Sequence, residues 1–336
     1  MRLATVVFIG VLVLAALPAR ALDHTQLAVI INTRDPLSVE IGEYYAAKRR
    51  ILFQNIIRVG FTPGKHAMTA LEFNALKSWV DEKTLPGVEA YVLTWASPFR
   101  VDCMSITSAF AFGFSPVFCA EGCKSTQVSR YFDSPARLPF TQLGMRPAMS
   151  IAAPSFEQAK ALIDRGVASD GTMPKGTAYL LSTWDRDRNV RAASYPLVEK
   201  IATGRLRIQN LNQESLKNAQ DVLFYFIGRQ TVDDLETLHF LPGAIADHLT
   251  SAGGWFFDSG QMSSMRWLEA GATGSYGTVV EPCNILAKFP NLPVLIGHYL
   301  RGETLIEAYW KSVQMPGQGI FIGEPLAAPF LRQRKP

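Results

Sequence analysis

The sequence predicts an α/β fold, a mostly parallel sheet flanked by helices. Three observations carry this. Short apolar or β-branched runs recur along the chain, and each is followed by a stretch with helical periodicity. Some of the runs, LAVIIN at 27–32 and DVLFYFI at 221–227, are apolar with little or no alternation, as strands buried on both faces are. The composition over 336 residues, 48% hydrophobic and 11% aromatic against 18% charged, supplies a large core and excludes a disordered chain.

Taken in order, residues 27–32 read as a first strand and 37–50 as the helix after it, with Val39, Ile41, Tyr44 and Tyr45 near helical spacing. Strands at 56–61 and 90–95 flank a helix at 69–85. Strand–helix–strand alternation implies right-handed crossovers and a parallel sheet. Residues 97–144 break the rhythm with four prolines, three of the four cysteines and a run of Phe, and read as a disulfide-tied flap or an irregular insertion on a sheet edge. The alternation resumes with strands at 148–153, 178–184, 221–227, 245–257 and 277–280. Helices are expected at 155–166, capped by Ser155 and stopped at Gly166, and at 190–203 and 262–270. Helices at 294–300 and 304–313 lead to a last strand at 320–322. The domain reading is therefore a half at 22–145 with a Cys-containing loop and a second α/β half at 146–336.

Residues 1–21, MRLATVVFIGVLVLAALPARA, carry Arg2, an apolar run, and Ala19 and Ala21 at the positions a signal peptidase reads. The run is too short for a membrane span and ends in Pro18 and Arg20. An exported chain, periplasmic or secreted, is expected, with no span after leader removal. The formal charge of +4 owes two units to Arg2 and Arg20; without them 31 bases face 29 acids. The remaining Lys and Arg are scattered, apart from Arg332, Arg334 and Lys335 at the tail, so no nucleic-acid footprint is present.

Four cysteines in an oxidising compartment suggest two disulfides, with three possible pairings. Spacing favours Cys119–Cys123 with Cys103–Cys283. No CxxC occurs and no His lies near the cysteine pair, so no metal site is expected, and no motif calls for a cofactor.

Ligands of open parallel sheets bind beyond the carboxyl ends of the strands. There the sequence places Arg34 and Asp35, Arg100, Asp185 and Asp187, Arg229, and Glu281, a mixed rim suited to a peptide or small anionic ligand. Loop salt bridges and caps would use the same residue types. Ser251 sits in a Gly-flanked turn, TSAGG, and Cys283 follows a strand. With His248 as base and the Gly253 or Gly254 amides as oxyanion donors, either would make a nucleophilic site. As bland alternatives, His248 is structural, Ser251 is turn chemistry and Cys283 is bridged. The usual G-x-S-x-G, P-loop, H-E-x-x-H and G-x-G-x-x-G motifs are absent.

NTRDPLSVEIGEYYAAKR, LIDRGVASDGT, HLTSAGG, QMSSMRWLEAGATGSYGTVVEPCN, LRGETLIEAYWKSV and GEPLAAPF resemble an uncharacterised family of exported bacterial proteins. From Asp221 onward the order of elements looks like that of gingipain-type peptidases of the caspase clan. DVLFYFI ends in Gly228-Arg229 where those peptidases carry His-Gly. The next strand ends near Thr250-Ser251 where they carry the nucleophilic Cys. GETLIEA at 302–308 and Gly323-Glu324-Pro325 stand for their G-x-[ST]-L-x-E-A helix and closing G-D-P. The resemblance implies a caspase-like C-terminal half without the usual dyad: a non-catalytic peptide- or anion-binding relative, or else a hydrolase with a rearranged site.

Overall fold

The computed structural model describes residues 21–332 except Glu121 and Thr203. The leader positions before Ala21, and Arg334 and Lys335 of the tail, lie outside the described residues. Thirteen strands occur among the described residues, and ten of them build one sheet.

In the first half, β1 (Leu27–Asn32), β2 (Ile56–Val59), β4 (Ala90–Leu93) and β7 (Ala148–Ser150) pair in parallel. Every residue of β1 and β4 is buried, which accounts for their unbroken apolar sequence. Helices α1 (Pro36–Arg49), capped by Asp35, and α2 (Ala70–Lys83), closed by a Thr69–Glu72 capping box, return the chain to the amino edge. β7 follows residue 145 in the chain yet pairs with β4 of this half.

The predicted flap contains structure of its own. Its β5 (Arg100–Val101) and β6 (Met104–Ser105) form a small three-stranded sheet with β3 (Ala67–Met68), which precedes α2. Two helices follow, α3 (Ile106–Phe112) and α4 (Pro139–Leu143). All of α3 but Phe112 is buried, so it shows no polar face for a periodicity argument to find. The disulfides are Cys103–Cys119 and Cys123–Cys283, with Cα separations of 5.5 and 5.4 Å, which corrects the pairing expected from spacing. α3 and the left-handed Gly113 turn the chain back on itself, so that Cys119 meets Cys103 rather than its sequence neighbour.

In the second half, α5 (Phe156–Ser169) runs three residues past the expected stop at Gly166. Gly166 lies inside it, and its lack of a Cβ makes room for the Glu324 side chain. β8 (Thr177–Ser182), α6 (Tyr195–Ala202), β9 (Arg207–Asn212), β10 (Val222–Ile227), β11 (Phe240–His248), α7 (Met265–Ala270), β12 (Gly274–Thr278), α8 (Leu292–Leu300), α9 (Leu305–Ser312) and β13 (Gly319–Gly323) complete the chain. β9-β8-β10-β11-β12 are parallel, β13 is antiparallel to β12, and β13 meets β7 through Ile322 and Ser150. The ten strands thus run in the order β2-β1-β4-β7-β13-β12-β11-β10-β8-β9, a mostly parallel α/β sheet flanked by helices, as the sequence predicts. β11 starts earlier and ends earlier than expected, at Phe240 and His248 instead of 245 and 257. β12 lies at 274–278 rather than 277–280.

Candidate functional site at the carboxyl edge of β10 and β11

β10 and β11 end side by side, Ile227 paired with His248. The loop that follows β8 crosses in front of them. Arg188 from that loop donates through Nη1 to Asp185 at 3.0 Å and through Nε to Thr250 Oγ1 at 3.1 Å. Thr250 in turn donates to Gln261 Oε1 at 2.7 Å, and the same oxygen accepts the Ala252 amide. Beyond these residues lies a cavity of about 260 Å³ lined by Asp187, Arg188, Thr250, Ser251, Glu281 and Asn284 among others. The Cys123–Cys283 disulfide forms part of its wall.

Near the carboxyl end of β11 is a buried pair that the sequence argument did not single out. Arg191 Nη1 lies 2.6 Å from Asp247 Oδ1, and both side chains are almost wholly buried. Burial pushes the Asp247 carboxyl above its ordinary value, against the pull of Arg191. A lone acid inside the apolar run AIADHL was the available signal.

His248 is neutral and fully bonded. Its Nδ1 accepts the Trp267 indole N–H at 2.9 Å, and Nε2 faces the Met262 carbonyl at 3.0 Å, so Nε2 carries the proton. Burial, aided by Arg191 and Arg188, pushes its pKa down to about 3. Neither nitrogen is bonded to Ser251 or Cys283, which removes the geometry of a base from this residue. The Cys283 sulfur is bonded to Cys123 and is no thiol. Ser251 opens onto the cavity, and its carbonyl accepts Thr278 Oγ1 at 2.9 Å. The Gly254 amide, a candidate oxyanion donor, is spent on the Thr278 carbonyl at 3.0 Å.

The seven rim residues do not converge on one place. Asp187 and Glu281 line the 260 Å³ cavity, with Asp185 behind Arg188. Arg229 is turned away, donating to Glu214 Oε2 at 2.8 Å. Arg100 donates to the Asp102 carbonyl and lies over the Trp255 ring. Asp35 caps α1 and borders a cavity of about 630 Å³ with His66, Trp95 and Phe257. Arg34 lines another cavity of about 630 Å³, with Arg58, Lys65 and Trp79. Among the described residues, no group of three or more His, Cys, Asp or Glu is placed to hold a metal ion. No helix there is long and apolar enough to cross a membrane.

Gly228 directly follows the last residue of β10. Its Cα is pressed against the Arg188 backbone, and a Cβ at this position would run into the Arg188 carbonyl. Thr183 Oγ1 donates to the Gly228 carbonyl at 2.8 Å and fixes this contact.

No family model and no curated protein matches the chain. Solved structures do. One described as a protease is similar with a TM-score of 0.52 at 12% identity, over 91% of this chain and 78% of that one. A complex of the pro- and mature domains of Porphyromonas gingivalis RgpB is similar with a TM-score of 0.49 at 11% identity, over 92% of this chain and 81% of that one. At such identities the protease likeness speaks for the fold alone.

Proposed function

We propose that the chain is an exported, non-catalytic relative of caspase-clan peptidases that binds a peptide in the cavity beyond β10 and β11. The observation that carries this reading is the packing at Gly228. A histidine there would need its Cβ inside the Arg188 carbonyl, so the position cannot hold a base without moving the loop after β8. The other elements of a thiol site are also spoken for, because no cysteine is free among the described residues and His248 is a buried neutral brace.

The lining favours a peptide over a small anion. Two carboxylates, Asp187 and Glu281, border the cavity, while its arginine is already bound to Asp185 and Thr250. Ammonium and amide donors of a peptide match such a lining. The two disulfides fit a periplasmic or extracellular setting.

Thermal shift with short peptides, and with phosphate and acetate in parallel, tests the reading. A peptide at a hundredfold excess over its Kd should stabilise the protein by about 2.7 kcal/mol, and Asp187→Asn with Glu281→Gln should abolish the shift. Stabilisation by phosphate alone would move the site to the Arg34, Arg58, Lys65 cavity. Labelling by a serine-directed phosphonate that disappears in Ser251→Ala would overturn the non-catalytic reading in favour of a hydrolase.

A further inference from the structure

We propose that Glu307 is a receptor for the α-ammonium that leader removal creates at Leu22. The proposal rests on reading residues 1–21 as a leader. The Leu22 amide donates to Glu307 Oε2 at 3.1 Å across 285 residues of sequence. Leu22 is 4% exposed and Glu307 1%. The same oxygen accepts the Thr304 amide at 2.9 Å and Thr304 Oγ1 at 2.6 Å. All three donors are neutral.

Lys311 and the His298 ring, both nearby, are already engaged with other carboxylates. Lys311 Nζ lies 2.9 Å from Glu303 Oε2, and His298 bridges Glu303 Oε1 at 2.8 Å and Asp133 Oδ1 at 3.0 Å. Glu307 is thus a buried carboxylate with neutral hydrogen-bond partners, and burial raises its pKa. A buried acid in this state is stabilised strongly by a countercharge. Ala21 lies in a cavity of about 310 Å³ with Asp133, Arg137, Arg301 and Glu303, the space its removal would open.

Hydrolysis by a signal peptidase consumes one water and breaks the Ala21–Leu22 C–N bond. The water oxygen goes to Ala21, which leaves as a carboxylate. Both water protons go to the Leu22 nitrogen, which becomes the ammonium. The charge therefore arises at an atom already within hydrogen-bond distance of Glu307. Leaders are cut from the translocating, unfolded chain, so burial of the junction in the folded protein is no obstacle. The mature N-terminus then becomes part of the folded structure.

The test uses the chain exported from its own leader. Intact mass should give Leu22 as the first residue. In the folded product the Leu22 amine should acylate at least tenfold more slowly than in Glu307→Gln. That variant also weakens the Thr304 cap, so a second comparison keeps Glu307. Protein beginning at Ala21, released from a cleavable fusion, should melt about 4 °C or more below protein beginning at Leu22. Equal melting temperatures of these two forms, or an amine as reactive in the folded wild type as in denatured protein, would overturn the socket. An exported product beginning elsewhere would overturn the leader reading and the proposal with it, while the two defined forms still report on the socket separately.

Discussion

Two buried arginine–carboxylate groups lie on opposite edges of the same sheet, and they are built differently. At the amino edge, Arg49 at the end of α1 reaches both Asp170 after α5 and Glu324 after β13, with Nε donating to Glu324 Oε1 at 2.9 Å. Asp170 also accepts the Ala328 amide at 3.0 Å. At the carboxyl edge, Arg191 and Asp247 hold each other, and the remaining contacts of Arg191 are long ones to the Ile227 and Asp247 carbonyls at 3.4 and 3.5 Å. The first group ties three distant segments together with its polar atoms well used. The second is less completely bonded, with both Asp247 oxygens lacking a hydrogen bond. The contrast separates a fastening of several segments from a buried charge pair with few further bonds.

Removing Arg49 should have the largest effect. Arg49→Met leaves Glu324, whose side chain is 0% exposed, without its cation. A loss of about 4 kcal/mol is expected, read from urea unfolding midpoints. A loss below about 1 kcal/mol would show that this edge is no fastening. Arg191→Met should cost about 3 kcal/mol at neutral pH. Here the acid left behind already has a raised pKa and can neutralise itself. An acid with a raised folded pKa takes up its proton earlier in the folded state, so the penalty should shrink as pH falls. Arg191→Met with Asp247→Leu should recover most of the loss, as replacement of a buried pair by apolar groups of similar size does. If the double variant is as unstable as the single one, the pair has a packing role that charge does not describe.

The same contrast explains what could be read from the sequence. Strands buried on both faces were legible, because LAVIIN and VLFYFI contain little but apolar residues. β9, RIQNLN, was not, since it is an edge strand in which four of six residues are exposed and only Ile208 and Leu211 are half-buried. The start of β11 was hidden by Pro242 and Gly243, which read as a turn and stand where the β10–β11 register shifts. Of the candidate residues chosen at the strand ends, Asp187, Ser251 and Glu281 line one cavity. Which arginines turn away depends on partners far off in sequence: Glu214 for Arg229, Trp255 for Arg100. Disulfide pairing failed for the same reason, because proximity along the chain is not proximity in the fold.

The smallest effect, and the one that bears most on chemistry, concerns His248 beside Asp247. Its pKa is about 3 in the folded protein, against an ordinary value of about 6.5. A base with a lowered folded pKa binds its proton more readily when unfolded. Its contribution is therefore fully retained above pH 6.5 and is lost as pH falls toward 3. The slope should approach about 1.4 kcal/mol per pH unit in the middle of that window. His248→Gln keeps an acceptor for Trp267 and a donor for Met262 but does not titrate. It should cost about 1 kcal/mol at pH 7, and the difference from wild type should close and then reverse by pH 4. Parallel stability curves for the two proteins would mean that His248 gains a proton in the folded state. The reading of His248 as a neutral buried support would then fail.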